Sequence, residues 1–158
     1  MVDIERLREF LIMAKRKGYA SVDGKEEKDV MKTEDGDGST TIFFEEGELR
    51  YEDKYYGGEP FGGSEVVFYK DRAVWMMVYY GKVILSSDKD IVYPFLKRML
   101  SLIMPEKPFR GPGLYSERNM EYQNFSVGDI EEFSGTEKIM MFQKEIYRAN
   151  YAGGLVNQ

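Results

Sequence analysis

The sequence predicts an α+β domain: two pseudo-repeats, each a helix plus two β-hairpins, forming a curved antiparallel sheet packed against two helices. Three observations carry that prediction. The 158-residue chain is 15% aromatic, mostly Tyr and Phe, side chains that favour pleated surfaces. Apolar spacing switches from a period near 3.6 to a period of two, and does so twice along the chain. Residues 63–81, GSEVVFYKDRAVWMMVYYG, are echoed by residues 135–153, GTEKIMMFQKEIYRANYAG. Laying Gly63 on Gly135 pairs Glu65 with Glu137, Trp75 with Tyr147, Tyr79 with Tyr151 and Gly81 with Gly153.

The first element is a helix over about Ile4 to Lys17, with Ile4, Leu7, Phe10, Leu11 and Ala14 at helical spacing and charged residues on the other faces. Asp3 suits its N-cap, Val2 can staple onto Leu7, and Gly18 after Lys15-Arg16-Lys17 reads as its stop. Residues 21–40 carry almost no large apolar side chain and read as a mobile loop. Within it, Asp35-Gly-Asp-Gly-Ser39 is either a solvated turn or a weak calcium loop lacking EF-hand spacing.

From Thr41 the period becomes two. A hairpin turns at Glu46-Gly47, with Leu49, Tyr51, Asp53 and Tyr55 on one face. After a glycine-rich loop, Glu65–Tyr69 and Ala73–Tyr80 form a second hairpin turning at Lys70-Asp71-Arg72. Val74, Met76 and Val78 alternate there with Trp75, Met77 and Tyr79, a strand expected to be buried on both faces. A second helix follows, with an apolar stripe of Ile91, Phe95, Leu96, Met99, Leu100 and Ile103; Asp90 as N-cap would leave Pro94 at the edge of the first turn, and Pro105 closes it. Beyond the stiff Lys107-Pro-Phe-Arg-Gly-Pro-Gly113, strands near Glu121–Ser126 and Ile130–Phe133 join at Gly128-Asp129, and a last hairpin runs Lys138–Phe142 and Glu145–Tyr151 around Gln143-Lys144. One domain spans residues 1–158, with pseudo-repeats of about 1–85 and 88–158. The cleft between them is the natural place for a pocket.

Composition narrows the function classes. Net charge is −6 and no Lys/Arg stripe is present, so nucleic-acid binding by this chain alone is not expected. No apolar run approaches a membrane span and no leader or lipidation signal is visible, so the expected setting is cytoplasmic, with no membrane partner. With zero Cys and zero His, disulfides, thiolate nucleophiles, imidazole bases and the usual zinc ligands are unavailable. No metal or cofactor motif appears, and none is expected.

The residues that could carry chemistry are few. Glu65 and Glu137 start equivalent strands; they could work as an acid–base pair or bond to nearby backbone N–H groups. Arg110, between two prolines, suits bidentate recognition of a carboxylate or phosphate, or an internal ion pair with a carboxylate such as Asp53; in both cases it should be partly buried. Tyr79, Tyr80, Tyr147, Tyr151 and Trp75 could wall an aromatic pocket or simply fill the core. The smaller side chains of the second copy, Ala149, Asn150 and Ala152, leave more room for a pocket there.

Tyr51-x-Asp53, Tyr56-Gly-Gly58, Phe61-x-Gly-x-Glu65, Trp75-x-Met-x-Tyr-Tyr-Gly81, Arg110-Gly-Pro112 and Tyr151-Ala-Gly-Gly154 together resemble the uncharacterised family of the domain of unknown function 5680, over nearly the whole chain. The resemblance implies a domain that stands alone or follows a helix-turn-helix in transcriptional regulators, and hence a sensing role. Its closing motif is often Tyr-His-Gly-Gly, whereas Ala152 replaces that histidine here, which argues against histidine-dependent chemistry. A small-molecule-binding or sensing module with an aromatic cleft is expected, its ligand met by Arg110, Glu65, Glu137, Tyr51, Asp53, Tyr79, Tyr80 and Tyr151. The alternatives are a carboxylate- and tyrosine-dependent hydrolase or isomerase, and an interaction protein that forms a homodimer.

Overall fold

The computed structural model describes residues 2–20, 29–84 and 89–156. In chain order the elements are α1 (Ile4–Ala20), β1 (Val30–Glu34), β2 (Ser39–Glu46), β3 (Leu49–Tyr56), β4 (Phe61–Tyr69), β5 (Arg72–Val83), α2 (Lys89–Ser101), β6 (Leu114–Glu117), β7 (Met120–Asp129), β8 (Glu132–Met141) and β9 (Lys144–Leu155). The nine strands form one antiparallel sheet in the order β1-β2-β3-β4-β5-β9-β8-β7-β6. Sheet and two helices make the α+β class expected, weighted toward β.

Helix α1 is capped as its sequence suggests, with the Arg6 N–H donating to Asp3 Oδ1 at 2.9 Å. Val2, Leu7, Phe10, Leu11 and Ala14 are buried in one cluster with Phe44, Leu49, Val67, Trp75 and Met77. The helix does not stop at Gly18 but continues to Ala20. Gly18 has no left-handed φ; a Cβ there would meet only Ile42 Cγ2, at 3.8 Å. That is an ordinary contact distance, so the packing of helix on strand does not require a glycine here, and the expected stop signal lies inside the helix.

Helix α2 buries Val92, Phe95, Leu96, Met99 and Leu100 against Val83, Tyr122, Ile139, Ile146 and Tyr147. It starts at Lys89, before the expected cap, so Pro94 falls in the second turn, on the exposed side. The buried stripe includes Val92, and Ile91, expected in it, is 47% exposed.

The expected loop over residues 21–40 lies partly outside the described residues (21–28), while Val30–Glu34 is an edge strand paired with β2. Its side chains are nearly all exposed; backbone pairing holds it, which a search for apolar alternation does not detect. Four-residue β6 at the other edge, paired with β7, is too short for its alternation to stand out in the sequence. The turn between β7 and β8 falls at Ile130–Glu131 instead of Gly128–Asp129, and β8 runs unbroken to Met141, where two strands were expected. Asp35 and Asp37 form the β1–β2 turn, bonded to Ser39 and Thr41, with Lys54 alongside. Among the described residues no cluster of three or more potential metal-binding acids is found.

Both helices cover the same face of the sheet. Odd-numbered residues of β5 and β9 point into the core, and even-numbered Val78 (47%) and Tyr80 (54%) are open to solvent. The strand expected to be buried on both faces is therefore covered on one, because two helices suffice for only one side of the sheet. No helix among the described residues is long and apolar enough to cross a membrane.

Candidate functional site

The covered face is apolar at the two helices and polar between them. The register of β3 against β4 sets Asp53 opposite Glu65, and both point inward, 7% and 0% exposed. Lys15 comes down from α1 with its Nζ 2.6 Å from Glu65 Oε2, donating also to the Phe109 carbonyl at 2.6 Å. The Lys15–Glu65 contact is close but not aligned as a directed hydrogen bond, so both Glu65 oxygens are without one among the described residues. Burial pulls the Lys15 pKa down, and the Glu65 charge opposes that pull.

On the other side, Arg110 holds Glu137 as a fork, Nε to Oε2 at 3.2 Å and Nη2 to Oε1 at 2.8 Å. Tyr122 and Tyr147 donate their hydroxyls to the same carboxylate at 2.5 and 2.9 Å. Burial works against the Arg110 charge, and Glu137 together with Tyr19 and Tyr147 more than offsets it, leaving the guanidinium firmly protonated. Its carbon lies 5.5 Å from the centre of the Tyr79 ring. Nη1 donates no hydrogen bond within the protein among the described residues.

Asp53 is the third buried carboxyl and has no cation of its own. Its Oδ1 accepts the Tyr79 hydroxyl at 2.6 Å, while Oδ2 accepts no hydrogen bond from the described residues. Burial first, and then the neighbouring Glu65 charge, push its pKa up to about 7. A parallel arrangement stands on β7 and β9, where the Tyr151 hydroxyl meets Asn124 Oδ1 at 2.6 Å.

Asp53, Tyr79 and Arg110 form the floor of a cavity of about 290 Å³. Tyr19 and Gly18 of α1, Ile42 of β2, Tyr55 of β3 and Phe61 of β4 wall it on one side, and Tyr93, Leu96 and Leu100 of α2 on the other. The Tyr19 phenol is raised well above its ordinary pKa by burial, and by the charges of Glu65, Asp53 and Glu137, with Arg110 opposing. Gly57, Gly58 and the exposed Lys97 stand at the rim. Gly57 has φ +78, and a Cβ there would come within 2.5 Å of the Pro60 carbonyl, so only glycine fits. Tyr93 Oη reaches the Gly58 carbonyl at 2.8 Å and the Glu59 carboxylate, which in turn accepts the Val83 N–H at 2.9 Å. The rim loop is thus tied to α2 and β5 together.

The family model of a domain of unknown function, DUF5680, matches residues 53–156. The chain belongs to the DUF5680 family. No curated protein and no solved structure matches it. The DUF5680 match begins at Asp53 and so takes in Asp53, Tyr79, Arg110 and Glu137. The α1 wall with Lys15, Tyr19 and Gly18, together with Ile42 and Tyr51, lies outside it.

Of the residues singled out from the sequence of this DUF5680 domain, seven face the covered side: Arg110, Glu65, Glu137, Tyr51, Asp53, Tyr79 and Tyr151. Tyr80 points to the opposite face, half exposed, as does Ala152. Only Asp53, Tyr79 and Arg110 line the cavity. Glu65 and Glu137 are each held by a cation, and not by the backbone N–H groups considered as their partners. The partner of Arg110 is Glu137 where Asp53 was suggested, and its burial is complete (3% exposed). Trp75 is core, its Nε1–H donating to the Ile130 carbonyl at 3.2 Å. The small side chains of β9 do not line the cavity, since Ala149 is buried in the core and Asn150 and Ala152 face solvent.

Lys15, Tyr19 and Tyr93 were missed. Leu7, Leu11, Lys15 and Tyr19 follow one another at spacing four, a single line down α1, which was the available signal. Reading Gly18 as a stop hid it.

Proposed function

We propose that this chain binds a small molecule in the cavity between α1, α2 and the sheet, as a sensing module of the cytoplasm. The observation that carries this is an aromatic-walled, partly open cavity lined by Asp53 and Arg110, each of which has a polar atom, Oδ2 and Nη1, without a hydrogen-bond partner among the described residues. Recognition is favoured over turnover because Asp53 is the one carboxylate among the described lining residues, and paired-carboxylate hydrolysis needs two across one site. Thermal-shift screening against a broad metabolite set tests the reading. At least one chemical class should raise the melting temperature, and Leu96→Trp, which fills the cavity, should abolish the rise. Silence across the whole set counts against it.

The cavity also fits a duplicated domain in which one copy kept a site. β5 pairs with β9 so that Tyr79 lies opposite Tyr151, the register a local two-fold axis would give. Register shifts occur at Val67/Phe68 and at Ile139/Met140, and the turns that follow carry positive φ at Lys70–Asp71 and Phe142–Gln143. Tyr79–Asp53 and Tyr151–Asn124 would then be the same pair, with the carboxyl retained in one copy.

A second reading, homodimerisation, is favoured by the exposed apolar side chains of the uncovered sheet face, Val78, Tyr80, Phe125 and Val127. Light scattering should then give twice the chain mass, and Tyr80→Lys should return it to monomer; a monomer from the outset would rule this reading out.

A further inference from the structure

The charged groups under the cavity do not balance. Among the described residues three buried carboxyls, Asp53, Glu65 and Glu137, face two buried cations, Lys15 and Arg110. Lys15 is spent on Glu65 and Arg110 on Glu137. Asp53, 7% exposed, lines the cavity and among the described residues is bonded only by the neutral Tyr79 hydroxyl, at Oδ1, which leaves Oδ2 without a hydrogen bond.

We infer that the cavity takes a small organic cation, an ammonium or amidinium on an apolar or aromatic body, with its charged group against Asp53 Oδ2. This rests on the small-molecule reading above and names the ligand class. A ligand cation supplies the positive charge the cluster lacks, and a desolvated carboxylate gains most from a partner carrying full charge. The walls suit it as well: Tyr19, Tyr55, Phe61 and Tyr93 present rings around the space, and ring faces attract cations more strongly where water is excluded.

An anion fits less well. Arg110 offers Nη1, but an anion there would lie beside Asp53, with Glu65 and Glu137 behind. The groups that act on Asp53 are Tyr79 by hydrogen bond, Glu65 by repulsion, and Lys15 and Arg110 by attraction. Lys97 at the rim is exposed, where solvent screens its repulsion of an incoming cation.

Because free Asp53 titrates near 7, binding a cation must drive its proton off below that pH. Cation affinity should therefore fall as pH drops below about 7, approaching tenfold per unit, with proton release on binding near pH 6 and almost none above about pH 8.

The test is isothermal calorimetry on the full chain with three probes of one shape: phenethylammonium, 2-phenylethanol and 3-phenylpropionate. At about pH 8 the ammonium should bind at least about tenfold more tightly than the alcohol, a difference of about 1.4 kcal/mol, and the propionate most weakly. Repeating the titration near pH 6 in buffers of different ionisation enthalpy should reveal the released proton. Asp53→Asn should cut ammonium binding about tenfold or more while sparing the alcohol. Asn124 already stands under a tyrosine hydroxyl in the parallel arrangement, so the variant should fold, and proton release by the wild-type chain does not depend on it. Preference for the propionate or alcohol, absence of proton release, or an Asp53→Asn variant that binds the ammonium as before would each overturn the inference and leave the pocket standing. Failure of all three probes, with Leu96→Trp also without effect on any metabolite, would remove the pocket itself.

Discussion

At Asp53 and Asn124 the same tyrosine contact is made to two side chains that differ by an oxygen and an amide group. The difference sets a pH dependence. Asp53 has a folded pKa of about 7 against about 4 in an unfolded chain. Between those values the folded state holds a proton that the unfolded state has released, so stability declines as pH rises through that window and the loss is complete above about 7. The loss should be on the order of a few kcal/mol. Asp53→Asn removes that component. In urea titrations its stability relative to wild type should therefore grow between about pH 5 and pH 8; parallel profiles would mean that Asp53 is solvated. Glu137 behaves differently, because it compensates a buried cation. Glu137→Ala leaves Arg110, Tyr122 and Tyr147 facing an empty space and should cost about 3–5 kcal/mol. Replacing Glu137 by Leu and Arg110 by Met together should cost less than Glu137→Ala alone, since no unpaired charge is then left behind. Arg110 was legible in the sequence because two prolines stiffen its segment. Its partner was not, because Glu137 is 27 residues away and reaches it only through the sheet.

Among the elements, α1 keeps a residue of low helix propensity that its packing does not require. Gly18 lowers helix propensity three residues from the end, yet it is buried, lines the cavity and lies on Ile42. Gly18→Ala should place its methyl 3.8 Å from Ile42 Cγ2, an ordinary contact, and raise stability by about 0.5–1 kcal/mol in chemical denaturation. A loss instead would show that the helix-to-strand spacing there cannot yield. The strand errors have a common cause. The missed strands β1 and β6 are the two edges of the sheet, polar or short, and owe their existence to a neighbour's backbone. β2 and β3 are readable from alternation, and β4, β5 and β9 from their turn residues and the echo of residues 63–81 in residues 135–153.

Across the whole molecule, the two halves share more than a sheet. Phe109, Ile130, Phe133 and Tyr151, all from beyond residue 100, belong to the core under α1 with Trp75 and Leu7, and Phe61 packs against both apolar clusters. A chain cross-packed in this way should unfold in one cooperative transition. Trp75 fluorescence, which reports the core under α1, and far-UV circular dichroism should give coincident denaturation curves; two separated midpoints would show halves that fold independently.

The sequence by itself determined the α+β class, two amphipathic helices and most of the strands, because periodicity and turn residues are local properties. It also put Asp53, Glu65, Glu137, Arg110, Tyr51, Tyr79 and Tyr151 on the short roster of groups able to act. Only the tertiary structure decided how they divide: Lys15 with Glu65, Arg110 with Glu137, and Asp53 left facing a cavity. Pairing between charges depends on distances across strands and helices, and burial sets how much each unpaired charge matters. Both arise only when the chain has closed on itself.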